Sequence, residues 1–225
     1  MTSKLEIVMR SPKQLIKTIA FRYLPSLSAP HYQYGLDPIQ LAFLVDAISE
    51  RASTKGCIVE IGVARGMTTC FLAEHLVRQG IQKHYHAIDT FASFTSEDID
   101  YEVVKRKKTA SALEAFSYNN YEIWKRNFEQ YRFVTAHQGD CKDFDFGSIE
   151  PISVALLDVD LYLPTSKTLP KVYDALEPGG IILVDDVRPA NTWDGAFQAY
   201  TEFCQSRGLT HEVIGSRGGV IRKPS

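Results

Sequence analysis

Four aspartates lie at the ends of two short apolar segments in the second half of the chain, 152–157 and 180–184; they are Asp158, Asp160, Asp185 and Asp186. Both segments are typical of strands that are buried on two faces, as in a parallel sheet. Open parallel sheets bind ligands at the carboxyl ends of their strands. We therefore expect the four carboxylates to share one edge. Because crowded carboxylates raise one another's pKa values, this arrangement favours a bound metal ion over a purely structural cluster.

The chemistry that these residue types suit is that of a hard divalent cation such as Mg²⁺. This ion takes oxygen ligands and usually keeps positions for water or substrate. A bound metal lowers the pKa of a hydroxyl that it coordinates. Asp160 lies two residues beyond Asp158, on the same side of an extended chain, where it could accept the proton; the alternative for Asp160 is a supporting or turn residue. For Asp185 and Asp186 the alternative is to cap the turn before Pro189.

A second candidate site is a glycine-containing turn between the first predicted strand and the helix that follows it. Gly62 and Gly66 allow a ligand to approach the backbone, and the helix N-terminus presents free N–H groups. The nicotinamide fingerprint requires glycine at positions 64 and 67, where this chain has alanine and methionine. The pattern Glu60-x-Gly62-x-x-x-Gly66 is instead the first motif of S-adenosylmethionine-dependent methyltransferases. A tight turn without a ligand is the alternative.

Two further acidic residues follow predicted strands. Asp89 ends the strand 84–88 and suits a ribose, because both ribose hydroxyls can donate to one carboxylate. Asp140 follows the strand 133–136, where an adenine amino group could find an acceptor. The alternative for Asp140 is an ordinary turn aspartate.

The elements that position these residues alternate between strands and helices. In the central unit, Thr165 is the predicted cap of a helix that residues 178–180 end. The last two short strands, 212–214 and 219–221, are predicted to form an antiparallel hairpin. We therefore predict an α/β fold: a Rossmann-like, seven-stranded, mostly parallel sheet with helices on both faces.

An N-terminal helical extension at 1–52 is predicted to precede the main domain at 53–225, with a helix at 3–24 and a loop at 26–34. The insertion at about 91–120 interrupts the alternation at the ligand edge and is predicted to be a lid. For its basic cluster at 105–108, a solvated surface helix is the alternative.

Composition narrows the class of protein. The 225 residues are 44% hydrophobic and 23% charged, with 25 basic and 27 acidic residues and a net charge of −2, which is ordinary for one sizeable globular domain. This balance does not indicate nucleic acid or an anionic membrane as a partner. No apolar run reaches the ~18 residues of a membrane span. We expect a cytoplasmic protein that acts on a small molecule, with homo-oligomerisation through the N-terminal helix left open.

The cysteines and histidines do not indicate a zinc site by their spacing. The four cysteines are scattered, and none is paired with a histidine at zinc-site spacing; they are Cys57, Cys70, Cys141 and Cys204. We expect buried thiols in a reducing compartment.

The motifs taken together resemble the macrocin O-methyltransferase (TylF/MycF-type) family over about residues 30–222. In chain order they are Glu60-x-Gly62-x-x-x-Gly66, Asp89-Thr90-Phe91, Gly139-Asp140, the sequence LDVDLY at 157–162, and Gly179-Gly180 followed by Asp185-Asp186. The LDxDxY and GG…DD pair is the most specific part of the resemblance.

The resemblance implies a class I methyltransferase that uses S-adenosylmethionine and Mg²⁺ to methylate a hydroxyl of a sugar or another small-molecule natural product. It further implies that an Asp deprotonates the metal-bound hydroxyl, which then attacks the methyl group. The implied roles are metal ligands for Asp158, Asp185 and Asp186, the base for Asp160, and cofactor binding for Glu60, Gly62, Gly66, Asp89 and Asp140. The alternatives are an NAD(P)-dependent oxidoreductase and a non-catalytic module that binds S-adenosylmethionine. The acceptor itself is not identified.

Overall fold

The computed structural model describes residues 11–24 and 29–225. The helices are α1 Pro12–Tyr23, α2 Pro38–Glu50, α3 Met67–Gln79, α4 Ser96–Arg106, α5 Tyr121–Asn127, α6 Tyr162–Ala175 and α7 Asp194–Arg207. The strands are β1 Cys57–Ile61, β2 Tyr85–Asp89, β3 Val134–Gln138, β4 Ile152–Leu157, β5 Leu176–Val184, β6 Glu212–Ile214 and β7 Gly218–Arg222. Short 3₁₀ turns lie at Ala110–Leu113 and Phe146–Ser148.

The seven strands form one mixed sheet in the order β3-β2-β1-β4-β5-β7-β6. The first five strands are parallel, whereas β7 is antiparallel to both β5 and β6. This confirms the predicted fold class and the closing hairpin. The carboxyl ends of β1, β2, β4 and β5 therefore meet at one edge of the sheet, and the sequence motifs follow these ends.

Helices cover both faces of the sheet. Every residue of β1 and β4 is buried, which confirms the predicted burial on two faces for the segment 152–157. One hydrophobic cluster packs α2, α3 and α5 against the first face. The other packs α6 and α7 against the second face. The two clusters hold the strand ends, and hence the candidate site, in fixed positions.

The central unit differs from its predicted bounds. Helix α6 begins at Tyr162, and Thr165 lies inside it with its hydroxyl donating to the Leu161 carbonyl. The helix ends at Ala175, so the prediction that residues 178–180 end it was wrong. Those residues lie within β5, which starts at Leu176.

In the N-terminal region, the described residues include the helices α1 and α2. The predicted helix at 3–24 corresponds to α1 from Pro12; the prediction for 3–10 and part of the predicted loop, 26–28, lie outside the described residues. Contacts divide the chain after Gln33, and α2 belongs to the unit Tyr34–Ser225. The predicted boundary at residue 52 thus falls inside this larger unit.

The insertion at about 91–120 contains α4 and a 3₁₀ turn. Three of the four cysteines are buried, as expected, but Cys70 is exposed, which corrects the prediction for that residue. Within the described residues, no helix has the length and hydropathy that crossing a membrane requires.

Candidate active site

The acidic cluster lies where β4 and β5 end. The backbone N–H of Asp158 donates to Ile61 O at 2.8 Å and that of Asp185 donates to Leu157 O at 3.0 Å. These bonds continue the parallel ladder one step past the strands and fix the aspartates beside each other. Asp160, Asp185 and Asp186 are buried, and Asp158 is half-buried.

Three of the four carboxylates converge. One oxygen from each of Asp158, Asp160 and Asp186 lies within 4.8 Å of the other two. Asp185 was predicted as a ligand, but it is not part of this group. Asp160 was predicted as the base, but it is part of the group. Three carboxylate oxygens at this spacing are the hard donor set that Mg²⁺ prefers, so the residues present fit the implied ion.

Burial dominates the electrostatics of the cluster. Burial raises the pKa of Asp158 well above its ordinary value, and the charges of Asp185, Asp160 and Asp186 raise it further. The pKa of Asp160 is raised by burial and then by Asp186. The pKa of Asp185 rises to about 6, again mainly through burial. A cation in the cluster would relieve this repulsion.

Two residues of the cluster have strained backbones. Asp160 has φ = 59° and Asp186 has φ = 56°, in the left-handed region that side chains other than glycine rarely adopt. The Asp160 carbonyl accepts a hydrogen bond from Ala196 N at 3.1 Å, at the start of α7. Strain of this kind is concentrated at functional sites.

Two polar side chains that carry no sequence motif complete the cluster. Arg217, in the β6–β7 turn, contacts Asp186 Oδ1 at 2.7 Å and Asp185 Oδ2 at 3.4 Å through Nη1. Gln40 of α2 donates from Nε2 to Asp185 Oδ1 at 2.8 Å. Sequence spacing could not have revealed either residue. Because β7 is antiparallel to β5, the turn before it carries Arg217 to the carboxyl end of β5, and Gln40 reaches the same place from α2.

The turn after β1 is fixed by backbone geometry and by Asp89. Gly62 and Gly66 both have φ = 83°. The carboxylate of Asp89 accepts hydrogen bonds from Val63 N at 2.8 Å and Ala64 N at 3.0 Å through Oδ2. The predicted ribose-binding carboxylate therefore already braces the glycine turn, and ribose binding by Asp89 stays a prediction.

Glu60 lies in the core, away from the open edge. It is 1% exposed, and its Oε2 accepts hydrogen bonds from the hydroxyls of Thr69 at 2.6 Å and Tyr85 at 2.5 Å. Burial raises the pKa of Glu60 to about 7 despite these two bonds. Its contacts join β1 to α3 and β2, so Glu60 supports the turn through the protein interior.

Asp140 and the insertion are connected at the same edge. Asp140 Oδ1 accepts from Lys142 N at 2.9 Å, and its Oδ2 pairs with Lys142 Nζ at 3.0 Å. The same ammonium group contacts Asp98 of α4. Glu102 of α4 accepts from Tyr162 N at 2.8 Å, at the start of α6. Helix α4 is thus anchored to the loop after β3 and to the segment after β4.

The basic cluster of the insertion is partly paired, which argues against a wholly solvated helix. Arg106 and Lys108 form salt bridges with Asp194 at 2.7 and 2.8 Å. Trp193, the residue before it, lies 5.6 Å from Phe94 between ring centroids. The insertion therefore packs along the start of α7.

A cavity of about 360 Å³ lies in this region. Its lining combines charged, amide, hydroxyl and apolar side chains from α4, α7 and the loop after β5: Arg106, Pro189, Ala190, Asp194, Phe197, Gln198, Thr201 and Glu202. This volume is within the range of small-molecule sites.

Comparison with known proteins gives one family match and several structural relatives. The sequence model described as macrocin-O-methyltransferase (TylF) matches residues 39–217. The O-methyltransferase NovP is similar in structure, with a TM-score of 0.65 and 20% identity over 83% of this chain and 80% of that one. The calicheamicin methyltransferase CalS11 has a TM-score of 0.66 and 16% identity over 96% and 94%.

A Streptococcus mutans protein in complex with SAH has a TM-score of 0.52 and 14% identity over 83% of this chain and 98% of that one. These likenesses describe the fold. Among curated proteins, no sequence matches this chain.

Proposed function

This chain belongs to the macrocin O-methyltransferase (TylF) family and is an S-adenosylmethionine-dependent O-methyltransferase. We propose that it methylates a hydroxyl of a sugar or of another natural product, and that Mg²⁺ binds in the acidic cluster during the reaction. The observation that carries the proposal is the convergence of the Asp158, Asp160 and Asp186 oxygens within 4.8 Å. These three carboxylates are buried or half-buried at the carboxyl ends of the strands. A divalent cation would neutralise their charges and take their oxygens as ligands, whereas protonation would supply no ligand for the acceptor.

The acceptor class is proposed from the cavity and from the relatives. The cavity is lined by amide, hydroxyl and charged groups together with Phe197 and Pro189, and it lies along α7, whose Ala196 N donates to the Asp160 carbonyl. CalS11 is a TDP-rhamnose 3′-O-methyltransferase of calicheamicin biosynthesis. Both observations support a sugar or a similar hydroxyl compound as the acceptor.

In the proposed mechanism, Asp158 and Asp186 would hold the cation, and Asp160 would accept the proton of the acceptor hydroxyl at a carboxylate oxygen. Mg²⁺, when bound, lowers the pKa of a coordinated hydroxyl. Burial and the neighbouring charge of Asp186 raise the pKa of Asp160 above its ordinary value, which favours uptake of a proton at this carboxylate. One oxygen of Asp160 lies within 4.8 Å of the oxygens of Asp158 and Asp186, close enough to receive the proton of a hydroxyl bound beside them.

The rest of the site positions these groups. Gln40 and Arg217 hold Asp185 and Asp186 through hydrogen bonds. Gly62, Gly66, Asp89 and Asp140 are proposed to bind the cofactor, and Glu60 is proposed to support them from the core. S-adenosylmethionine supplies an activated methyl group, so the protein contributes orientation, proton removal and exclusion of water. We propose that the insertion at about 91–120 excludes water from the site.

Calorimetry and an acceptor screen test the proposal. S-adenosylhomocysteine is expected to bind with micromolar affinity, roughly 8 kcal/mol, whereas NAD serves as the control that should not bind. The screen then measures S-adenosylhomocysteine formation with sugar nucleotides and phenols, with Mg²⁺ or with chelator. Turnover should disappear with chelator and in Asp186→Asn. Full turnover in the presence of chelator would refute the proposed dependence on Mg²⁺. Preferential binding of NAD would refute S-adenosylmethionine as the cofactor.

A further inference from the structure

A second group of potential metal ligands lies at the opposite edge of the sheet from the acidic cluster. Cys57 is the first residue of β1, His86 is the second residue of β2, and Glu150 lies two residues before β4. Each offers one ligand atom, a thiol sulfur, an imidazole nitrogen and a carboxylate oxygen, and these three atoms lie within 4.8 Å of one another. Since β1, β2 and β4 are parallel, the amino ends of these strands place this group far from the carboxyl-end chemistry.

The sheet, and not the sequence spacing, creates this group. His86 is the register partner of Val59, and Cys57 lies two residues before Val59 on the same face of β1. β4 is the other neighbour of β1, and Glu150 enters from the segment before it. Cys57 and His86 are 29 positions apart in the chain, so the expectation drawn from local cysteine and histidine spacing could not have detected this group.

The imidazole of His86 is held on both nitrogens. Its Nε2 lies 3.1 Å from Glu150 Oε2, and its Nδ1 lies 2.9 Å from His137 Nε2. The other oxygen of Glu150 contacts His84 Nδ1. Metal-ligating histidines usually have their second nitrogen fixed by an outer partner in this way, and outer partners also orient ligating carboxylates.

Solvent exposure increases from Cys57 through His86 and Glu150 to the neighbouring His84. Cys57 is 1% exposed and His86 is 7% exposed, whereas Glu150 is half-buried and His84 is exposed. Burial raises the pKa of the Cys57 thiol to about 12, so the thiol carries its proton in the metal-free protein. An ion could reach the thiol from the side of Glu150.

We propose that Cys57, His86 and Glu150 form a binding site for Zn²⁺ or a similar borderline divalent cation, separate from the acidic cluster. Thiolate, imidazole and carboxylate are the three ligand types that zinc combines, and a thiolate with an imidazole selects against Mg²⁺. The fourth position of a tetrahedral ion is left for water. On binding, the thiol proton is released to solvent and the sulfur becomes the ligand.

Cobalt titration tests this site in the full-length, reduced and chelator-treated protein. Co²⁺ replaces zinc in such sites and reports a thiolate ligand by a charge-transfer absorption band. The wild type is expected to develop the band with one equivalent of Co²⁺ and to lose it when Zn²⁺ is added. Cys57→Ser should abolish the band, whereas Cys204→Ser, which removes another buried thiol, should keep it. Asp158→Asn should also keep it, because the acidic cluster is a different site.

Two further variants keep the proposal testable if Cys57→Ser does not fold. Glu150→Gln changes a half-buried side chain and should raise the Co²⁺ dissociation constant at least about tenfold, and His137→Leu should raise it by about 10- to 100-fold. Absence of the band in the wild type, its persistence in Cys57→Ser, or an unchanged constant in Glu150→Gln would overturn the proposal.

Discussion

Arg217 is the only cation that the described residues place against the aspartates at the ends of β4 and β5. Its guanidinium pairs with Asp186 and Asp185, and its side chain is 16% exposed. Nη2 also donates to the Gly35 carbonyl. A buried carboxylate that loses its partner is costly, because its charge is neither solvated nor paired. Arg217 therefore stabilises the acidic cluster before any metal binds.

Arg217→Gln is expected to lower the free energy of unfolding of the metal-free protein by about 3–5 kcal/mol. Denaturant titration measures the loss. Arg222→Gln is the matched control, since the Arg222–Glu212 pair is about half exposed and should change stability by less than about 1 kcal/mol. Equal stability of the two variants would show that Arg217 does not support the cluster.

Glu60 makes stability depend on pH. Its pKa rises from 4.5 to about 7 in the folded protein because its carboxyl group is buried. A group whose pKa is raised by folding stabilises fully below its unfolded pKa, and this contribution disappears as the pH rises through its folded pKa. The stabilisation from Glu60 is thus complete below about pH 4.5 and lost above about pH 7.

Glu60→Gln removes this titration while keeping a neutral side chain of the same shape. The stability of the wild type relative to Glu60→Gln should fall by about 3 kcal/mol between about pH 4 and pH 8, at 1.36 kcal/mol per pKa unit. Urea unfolding across this range measures the difference. Glu122→Gln, which changes an exposed side chain, should show no such trend; a flat difference for Glu60→Gln would contradict the assignment.

At the scale of elements, Gly62 joins the glycine turn to the end of β4. A Cβ at this position would lie 1.8 Å from the Asp158 carbonyl oxygen, and φ is +83°. The glycine turn and the end of β4 therefore come into close contact at Gly62. A residue with a Cβ could not replace it unless the backbone moved.

Gly62→Ala is expected to lower the free energy of unfolding by at least about 3 kcal/mol, from backbone strain together with overlap. Gly139→Ala is the control, because its Cβ would meet nothing within 4 Å. Thermal unfolding of both variants measures the effect. Similar melting temperatures would mean that the two strand ends are free to separate.

Local sequence predicts the strands well and tertiary contacts poorly. The segment 152–157 was predicted at the observed bounds of β4 because a short, mostly apolar run of this length is typical of a strand buried on two faces. The start of α6 was missed because Glu102, sixty residues away, accepts the hydrogen bond of Tyr162 N in place of a local cap. Gly179 was expected to end a helix, but its N–H donates to Lys223 O beside β7.

The candidate site follows the same division. Asp158, Asp185 and Asp186 could be found because each follows a recognisable strand. Gln40 and Arg217 could not, since the first is 145 residues from its partner and neither belongs to a local motif. The structure groups Asp160, and not Asp185, with Asp158 and Asp186. Asp160 and Asp186 have backbone angles near φ = +60°, and no pattern of residue types specifies such angles.

At the scale of the whole molecule, the unit Tyr34–Ser225 contains the sheet and both cores. Helix α2 contributes Leu41, Leu44 and Ile48 to the first core, all at most 5% exposed. Burying each such side chain is worth about 1.5–3 kcal/mol, so together they are comparable with the 5–15 kcal/mol that typically stabilises a domain.

A chain of residues 34–225 is therefore expected to fold, whereas a chain of residues 53–225 should not unfold cooperatively. Circular dichroism during urea titration distinguishes the two. Cooperative unfolding of both chains with similar midpoints would place the boundary at residue 52 and contradict the role given to α2.

Binding of Mg²⁺ to the acidic cluster can be measured without knowledge of the acceptor. Mg²⁺ is titrated by calorimetry into the protein saturated with S-adenosylhomocysteine, using the wild type, Asp158→Asn and, as an exposed control on α2, Asp46→Asn. We expect one saturable equivalent in the wild type and in Asp46→Asn, and none in Asp158→Asn. Absence of saturable binding to the wild type, or equal binding to Asp158→Asn, would contradict this expectation.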